Sequence, residues 1–355
     1  MVKSVTIADD HAVAVEIYLT TSACPKKTEI VDKVTAAVTD VPGTGAVTVG
    51  LDVMNDEQRA ELRKLLRGDS REPVIPFAQP NSLTRVYAVA SGKGGVGKSS
   101  VTVNLAAALA ARGLQVGVLD ADIYGHSVPR MMGIVDRPTQ VDSMILPPIA
   151  HDVKVISIAM FTQGNTPVVW RGPMLHRALQ QFLADVYWGD LDVLLLDLPP
   201  GTGDIAISVS QLIPGAEILV VTTPQSAAAE VAERAGTMAS MMHQRVVGVV
   251  ENMSWLPCPH CVEEGKEHRL EIFGTGGGER VAGTLSERFG YDVPLLGRIP
   301  LDTSLREGGD VGKPLVESDP TAPAAAALSA VAERLDGRGR GLAGLQLGLT
   351  PTNKF

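Results

Sequence analysis

Hydrophobic positions in the first part of the chain follow two periods. In residues 12–21 and 46–54 apolar side chains occupy every second position, which predicts half-buried strands. Residues 26–41 and 56–68 carry apolar side chains at the spacing of one helix face, and a glycine ends the second segment. The pattern therefore predicts a small α+β domain over residues 1–68.

The pattern changes after a short irregular segment. Residues 69–83 contain three prolines, mixed charge and no periodicity, which indicates a linker. Beyond it, short continuous apolar runs rich in β-branched residues alternate with helical segments. The runs are residues 85–90, 115–120, 153–159, 192–198, 217–223, 245–250 and 293–299. Strands of this kind are buried on both faces, so we predict an α/β domain over residues 84–335 with a mostly parallel sheet flanked by helices.

The last stretch, residues 336–355, is rich in glycine and poor in helix formers. Its leucines are apolar enough for a membrane-targeting amphipathic helix, but the glycines between them fit a helix poorly. We expect a tail without regular structure, either free or draped over the surface.

Composition and charge narrow the classes of partner. At 355 residues the chain exceeds the usual size of one hydrophobic core, which agrees with two domains. The net charge of −9 argues against a broad phosphate-binding surface, and 4% aromatic residues argue against stacking platforms for single-stranded nucleic acid. We therefore expect no nucleic-acid partner.

The sequence also bears on the compartment. The N-terminus has no long apolar segment, and acidic residues arrive by Asp9 and Asp10, so we expect no signal peptide. No stretch approaches the roughly 18 consecutive apolar residues that span a bilayer. Three cysteines in so long a chain do not make a disulfide scaffold. We expect a cytoplasmic protein without membrane attachment.

A glycine-rich loop between a predicted strand and a predicted helix carries the strongest chemical signal. Its residues are Gly92, Lys93, Gly94, Gly95, Val96, Gly97, Lys98 and Ser99, followed by Ser100. They match the Walker A pattern of phosphate-binding loops, here called the P-loop, in which backbone N–H groups and a helix N-terminus face the phosphates. In this pattern Lys98 reaches the β- and γ-phosphates and the Ser99 hydroxyl binds Mg²⁺. The alternative is a glycine-rich turn that binds nothing, and the complete match in its strand, loop and helix context disfavours it.

Aspartates end two of the predicted strands. Asp197 is suited to hold Mg²⁺ through water, and the Pro/Gly loop up to Asp204 is suited to sense a γ-phosphate. Asp120 and Asp122 end another strand, where they either cap the next loop or take part in catalysis. No complete guanine-reading Asn-Lys-x-Asp motif occurs, so ATP is favoured over GTP.

The second lysine of the P-loop suggests a class. Lys93 is not needed to hold phosphate within one chain, because Lys98 does that. A lysine at this position resembles the deviant Walker A ATPases, which include MinD, ParA and the nitrogenase iron protein. The resemblance implies a homodimer in which Lys93 reaches the partner's nucleotide and acts in catalysis with Lys98. It further implies that Asp122 positions the attacking water and that Asn252 contacts adenine.

A cysteine pair forms a second candidate site. Cys258 and Cys261 supply two thiolates at metal-binding spacing, which is half of a four-coordinate site. A redox role is one alternative, because Cys-Pro-His-Cys occurs in oxidising thioredoxin-like proteins, but here it opens no long amphipathic helix. A zinc site within one chain is another. His260 lies between the thiols, so only His268 is well placed, and three ligands are the most available.

Over residues 84–335 the chain resembles the Mrp/ApbC family of iron–sulfur cluster carrier ATPases. The resemblance rests on SGKGGVGKSS, LDADIYGHSVPRMMG, LLLDLPPGTGD, TTPQSAAAEVAERA, VVENMSWLPCPHC and IFGTGGGE. It implies a homodimer that binds ATP and Mg²⁺, holds a [4Fe–4S] cluster on Cys258 and Cys261 of both chains, and delivers it to apo-proteins. The alternative is a MinD/ParA-like positioning or partition ATPase with structural zinc at the cysteine pair.

The N-terminal domain resembles the small metal–sulfur cluster assembly domain, most recognisably in LTTSACPKKTEIVDKV. The helix and the Asp-Pro-Glu segment that precede its first strand in that pattern are absent, so we expect a shortened version of the domain. Cys24 is either a reactive thiol or transient cluster ligand, or a small packed hydrophobic residue.

Overall fold

The computed structural model describes residues 2–337 apart from a set of internal gaps. The gaps are 20–26, 56, 59–61, 63–73, 123–124, 126, 142–143, 162–171, 202, 228–229, 231, 235–236, 238–241, 243, 259 and 262–267. Cys24, most of the predicted helix 56–68 and residues 338–355 of the predicted tail lie outside the described residues. The chain divides into a smaller unit, Met1–Glu72 with Gln140–Met144, and a larger unit, Pro73–Thr139 with Ile145–Phe355.

The smaller unit is a three-stranded sheet with one helix. Its elements are β1 (Val2–Ile7), β2 (Val13–Leu19), α1 (Lys27–Thr39) and β3 (Val47–Val53). Strand β2 runs antiparallel to β1 and parallel to β3, so α1 serves as the crossover that a parallel pair requires. Val13, Val15 and Ile17 of β2 are buried, and apolar side chains of α1 pack against them. The alternating pattern predicted β2 and β3, the helical spacing predicted α1, and the structure has all three.

The sequence pattern did not predict strand β1, and its exposure explains why. All six of its residues are exposed, so burial imposes no alternation on them. The pairing with β2 also shifts between Val2 and Ser4, and such an irregularity breaks the period of two.

Seven of the eight strands of the main sheet match the predicted runs, and the short edge strand Ile149–Ala150 is the exception. The remaining strands are β4 (Arg85–Ser91), β5 (Val116–Asp120), β6 (Thr139–Val141), β7 (Met144–Leu146), β8 (Ile149–Ala150), β9 (Val153–Ser157), β10 (Val193–Asp197), β11 (Glu217–Thr222), β12 (Val246–Glu251), β13 (Leu256–Pro257), β14 (Arg269–Leu270) and β15 (Leu295–Arg298). The main sheet has eight strands in the order β15-β12-β11-β4-β10-β5-β9-β8. Neighbouring strands are parallel except for the short antiparallel edge strand β8. All seven predicted runs lie in this sheet.

Helices cover both faces of the main sheet. They are α2 (Lys98–Ala111), α3 (Val128–Met131), α4 (Gly172–Asp185), α5 (Asp204–Leu212), α6 (Gly277–Phe289), α7 (Thr303–Val311), α8 (Leu315–Ser318) and α9 (Pro323–Asp336). Strand β10 shows the two layers directly. Leu194 and Leu196 belong to the core formed with α4, α5 and α6, whereas Val193 and Leu195 belong to the core formed with α2, α7, α8 and α9. The predicted α/β architecture, a mostly parallel sheet flanked by helices, is confirmed.

The structure corrects the second half of the predicted linker. Residues 76–78 form a short 3₁₀ turn, and Ile75 and Phe77 are buried in the core of the larger unit. The Phe77 ring packs edge-on against Trp188, with ring centroids 6.3 Å apart. Ile75 and Phe77 stand among three prolines without a helix or strand period, so the sequence pattern indicated a linker there. The structure shows that this segment packs against the core.

The last helix ends one residue into the predicted tail. Asp336 is the last residue of α9, and its carboxylate forms ion pairs with Arg85 at 3.4 Å and with Arg112 at 3.0 Å. Arg85 also donates to the carbonyl oxygen of Leu335, so strand β4 and α9 are joined at this end. Among the described residues, no helix combines the length and the apolar character needed to cross a membrane.

Candidate functional site

The P-loop leaves the middle of the main sheet. It follows β4, which lies between β10 and β11, and it ends where α2 begins at Lys98. Gly95 and Gly97 have φ angles of +80° and +78°, a region that residues with side chains rarely adopt. A Cβ atom on Gly97 would also collide with the side-chain amide of Asn252. Both the backbone conformation and the available space therefore require glycine at position 97.

Three side chains of the P-loop and α2 converge on Asp197. The Lys98 Nζ lies 2.8 Å from Asp197 Oδ2, and both side chains are buried. The Ser99 hydroxyl donates to the same oxygen at 2.6 Å, and the Thr102 hydroxyl donates to Oδ1 at 2.7 Å. A buried carboxylate is stable only with such partners. The hard oxygens of Ser99 and Asp197, in direct contact, fit the ligands that Mg²⁺ prefers.

Asp120 is the second buried carboxyl group at this edge. It is the register partner of Asp197 across the parallel pair β5 and β10, and the Ser157 hydroxyl donates to it at 3.0 Å. Burial, followed by the negative charge of Asp197, raises the pKa of Asp120 to about 8. Protonation of Asp120 is thereby favoured, which lets two carboxyl groups occupy one buried edge.

Asp122 holds the turn that follows β5. Its backbone N–H donates to Asp120 Oδ1 at 3.1 Å, and its own Oδ1 accepts from the N–H of Gly125 at 2.9 Å. The capping arrangement left open by the sequence is thus present. The predicted role of Asp122 in catalysis stays a prediction.

An open cavity of about 200 Å³ lies over the P-loop. It is lined by Ser91, Lys93, Gly94, Gly95, Val96, Gly97, Lys98, Ser99, Ser100, Asp122, Ser127, Met131 and Pro200. The predicted P-loop residues other than Gly92 therefore face one space together with Asp122. The Lys93 Nζ donates to Gln225 Oε1 of the same chain at 2.8 Å, and the predicted reach of Lys93 to a partner stays a prediction.

Asn252 connects the P-loop to the strand that precedes the cysteine pair. It directly follows β12, and its Nδ2 donates to the carbonyl oxygen of Val96 at 2.9 Å. Its Oδ1 is buried and accepts no hydrogen bond from the described residues. A buried amide oxygen without a donor fits an amino group supplied by a ligand, as adenine would supply.

The cysteine pair lies on a hairpin whose neck is formed by β13 and β14. The two strands pair antiparallel, and the ladder continues where the N–H of Cys258 donates to the carbonyl oxygen of His268 at 2.9 Å. His268 therefore stands directly across the neck from Cys258. The two residues are ten positions apart in the sequence, and the hairpin brings them together.

The neck is anchored to the body of the larger unit. The Arg269 guanidinium lies over the Trp255 ring, 4.4 Å from its centroid. The backbone N–H of Ser254 donates to Ile299 at 2.9 Å, and the N–H of Leu301 donates to Trp255 at 2.7 Å. These bonds hold the start of the hairpin in a defined position after β12.

The thiols of Cys258 and Cys261 are half-buried, and His268 is exposed beside them. The N–H of Cys261 and hydrogen bonds from His268 and the Cys261 thiol favour the Cys258 thiolate, and they lower the pKa of Cys258 to about 7. The pKa of Cys261 is raised because its thiol donates to Cys258. One thiolate of the pair is thus available near neutral pH.

Comparison with known proteins identifies the family. Residues 82–336 match the family model described as NUBPL iron-transfer P-loop NTPase, and residues 1–50 match that of an iron-sulfur cluster assembly protein. The iron-sulfur cluster carrier protein of Mycobacterium tuberculosis (strain ATCC 25618 / H37Rv) is 71% identical over 354 residues, which cover 100% of this chain and 91% of that protein. The chain belongs to the iron–sulfur cluster carrier family of P-loop NTPases.

Solved structures agree with this membership. A nucleotide-binding protein of Archaeoglobus fulgidus, solved in complex with ADP and with Co, is 34% identical with a TM-score of 0.56, and the match covers 68% of this chain and 95% of that one. The septum site-determining protein MinD of Pyrococcus horikoshii, in complex with Mg-ADP, is 24% identical with a TM-score of 0.51 and coverages of 75% and 100%. This second likeness concerns the fold alone. The family match does not favour a positioning or partition ATPase.

For this carrier, sequence reasoning found the residues of the P-loop, Asp197, Asp122, Asn252 and the cysteine pair, and the structure places all but the pair in or against the loop. It missed Thr102 as a partner of Asp197, although a residue three positions after Ser99 on a helix faces the same side. It also missed Gln225 as the partner of Lys93. That contact links positions 132 residues apart, and no local pattern signals it.

Proposed function

We propose that this carrier binds and hydrolyses ATP with Mg²⁺, holds a [4Fe–4S] cluster between two copies of the chain, and transfers the cluster to apo-proteins. The observation that carries the proposal is the position of the cysteine pair. In a member of the carrier family, two half-buried thiols lie on an anchored hairpin. The hairpin follows β12 and Asn252, and Asn252 is hydrogen-bonded to the P-loop.

The nucleotide would bind over the P-loop with its phosphates at the start of α2. There the backbone N–H groups and the Lys98 ammonium would face the β- and γ-phosphates, and Lys98 would exchange part of its contact with Asp197 for phosphate. Ser99 and Asp197 would hold Mg²⁺, which when bound neutralises phosphate charge. The Oδ1 of Asn252, which has no donor among the described residues, would accept a hydrogen bond from the adenine amino group.

Hydrolysis is proposed to need two chains. Asp122, which lines the cavity, would orient the attacking water, and Lys93 of a second copy would stabilise the negative charge that develops on the phosphates. In the single chain Gln225 holds Lys93, so dimerisation would require Lys93 to exchange that partner. Homodimer formation is therefore part of this proposal.

The cluster is the cargo, and the described part of one chain offers it two cysteines at this site. Two copies related by a two-fold axis would supply four thiolates, the ligand set of a [4Fe–4S] cluster. Partial exposure of both thiols fits a cluster that must be built and surrendered. We also propose a cytoplasmic location, because the reducing conditions there keep the two cysteines as thiols available for the cluster.

Coupling between the sites is proposed to run through Asn252. Its amide is bonded to Val96 of the P-loop, and only residues 253–257 separate it from Cys258. A change in the P-loop on nucleotide binding would therefore reach the cysteine hairpin over a short, anchored path.

Anaerobic reconstitution of the full chain with iron and sulfide tests the cluster proposal. We expect broad absorption near ~400 nm, about four irons and four sulfides per two chains, and a dimer mass. The Cys258→Ser, Cys261→Ser variant should gain none of these, whereas the matched control His260→Ala, which changes the residue between the cysteines, should match the wild type. A wild type that gains no absorption, or a double variant that gains it equally, would refute the proposal.

A further inference from the structure

The hairpin places His268 where neither the P-loop nor the shared cluster uses it. The register of β13 and β14 continues into Cys258 and His268, whose backbones are joined by the 2.9 Å hydrogen bond. Side chains that face each other across an antiparallel pair project to the same side of the strands. His268 is thereby fixed beside the cysteine pair of its own chain.

The distances fit a metal ion at the centre of the three side chains. One donor atom from each of Cys258, Cys261 and His268 can be chosen so that all three lie within 4.8 Å of one another. The Cys261 Sγ is 3.5 Å from the His268 Nδ1. Around a tetrahedral zinc ion, with Zn–S near 2.3 Å and Zn–N near 2.0–2.1 Å, sulfur and nitrogen ligands lie about 3.6 Å apart. The Cys261 and His268 donor atoms therefore already have the spacing of ligands on one ion, and the Cys258 thiol lies within 4.8 Å of both.

We propose that Cys258, Cys261 and His268 of a single chain bind one divalent transition-metal ion. Thiolate and imidazole ligands select Zn²⁺, Co²⁺ or Fe²⁺ over Mg²⁺ and Ca²⁺. Binding releases thiol protons to solvent, and three protein ligands leave a fourth position open to water or to an incoming thiolate. Unlike the shared cluster proposed above, this site needs one chain only, and it competes with the cluster because both use the same two cysteines.

The site gives the single chain a defined metal-bound state. A monomer that holds one ion on these ligands has its cysteines occupied, so a second copy cannot share them until the ion leaves or a cluster replaces it. Metal binding and cluster binding on one chain are therefore mutually exclusive.

Titration of the reduced, metal-free full chain with Co²⁺ under anaerobic conditions tests the proposal. We expect thiolate-to-cobalt charge transfer in the near ultraviolet and intense visible bands of four-coordinate Co²⁺, saturating at one ion per chain with a monomer mass. Zn²⁺ added afterwards should displace Co²⁺ and bleach these bands, because d¹⁰ Zn²⁺ loses no ligand-field stabilisation in a four-coordinate thiolate site, whereas Co²⁺ does.

Two single substitutions decide whether His268 is a ligand. His268→Ala should weaken Co²⁺ binding by about tenfold to a hundredfold or more and shift the visible bands, since loss of even a supporting partner has effects of about that size. His260→Ala, which removes the neighbouring histidine outside the three-residue group, should bind Co²⁺ as the wild type does. Equal spectra and affinities for the wild type and His268→Ala would overturn the proposal, as would equal losses in both variants.

The stoichiometry separates this proposal from the shared cluster. Saturation at one Co²⁺ per two chains with a dimer mass would overturn the single-chain site. Absence of cobalt binding in a wild type that still gains a cluster would overturn the single-chain site alone. Cobalt binding in a wild type that gains no cluster would leave this site standing and refute the cluster proposal.

Discussion

Lys98 Nζ and Asp197 Oδ2 lie 2.8 Å apart in the interior, with 6% and 1% of their side chains exposed. The P-loop lysine is thus paired with the aspartate that ends the adjacent strand. Ser99 and Thr102 satisfy the remaining capacity of the carboxylate. The phosphate-binding lysine and the candidate magnesium ligand therefore form one electrostatic unit.

Asp197→Asn should destabilise the protein, because it leaves the buried Lys98 ammonium without its counter-ion. Breaking a buried pair on one side costs about 3–5 kcal/mol. Urea unfolding followed by circular dichroism measures the difference. Asp310→Asn breaks only exposed pairs, with Arg306 and with Arg130, and should change the free energy of unfolding by less than about 1 kcal/mol. Similar losses in the two variants would contradict the prediction.

Asp120 should make stability depend on pH. Its pKa is about 8 in the native protein, against about 3.9 in an unfolded chain. Between these two pH values the native state binds a proton that the unfolded state has lost. The contribution of Asp120 to the free energy of unfolding is therefore complete below about pH 4 and is lost as pH rises towards 8. The slope is at most about 1.4 kcal/mol per pH unit. Asparagine does not titrate, so the free energy of unfolding of Asp120→Asn minus that of the wild type should increase as pH rises from 5 to about 8. Parallel stability curves would contradict this sign.

The two cysteines should differ in reactivity with pH. Because the pKa of Cys258 is lowered to about 7 and that of Cys261 is raised, alkylation of the metal-free protein by iodoacetamide should reach its half-maximal rate near pH 7 at Cys258 and at higher pH at Cys261. Peptide mass spectrometry after short pulses distinguishes the sites. In Cys258→Ala the midpoint at Cys261 should fall, since the sulfur that accepts its hydrogen bond is gone. A single shared midpoint in the wild type would count against the asymmetry.

Gly97→Ala should lower both nucleotide affinity and the free energy of unfolding. The left-handed backbone alone costs a residue with a side chain about 1–2 kcal/mol, and the collision with Asn252 adds to it. Fluorescent nucleotide titration and urea unfolding measure the two effects. For stability Gly94→Ala is the matched control, because its Cβ would meet only Pro200 at 3.9 Å among the described residues. Equal stability of the two variants would contradict the structural reason.

Lys93→Ala should abolish the dimer that ATP is proposed to induce, because the lysine from the second copy would be missing at the phosphates. Light scattering of the full chain with ATP and with ADP measures the mass. Lys313→Ala, a lysine outside the cavity lining, should dimerise as the wild type does. A Lys93→Ala protein with the wild-type dimer fraction would remove the support for a trans-acting lysine.

Prediction from sequence succeeded where the signal is local. The strands of the main sheet were readable because burial on both faces demands continuous apolar runs, and the P-loop was readable because its glycines, lysines and serine are contiguous. Strand β1 was missed because it is fully exposed. The burial of Phe77 was missed because the prolines near it interrupt any helix or strand period.

By itself the sequence determined the α/β fold, the phosphate-binding loop, the cysteine pair and the family resemblance, since each depends on neighbours in the chain. Only the tertiary structure decided that Lys98 pairs with Asp197, that Asn252 bonds to Val96, and that His268 stands across from Cys258. Such contacts join residues from separate strands and loops. They follow from strand order, register and the path of a hairpin, which only the packing of the whole chain sets.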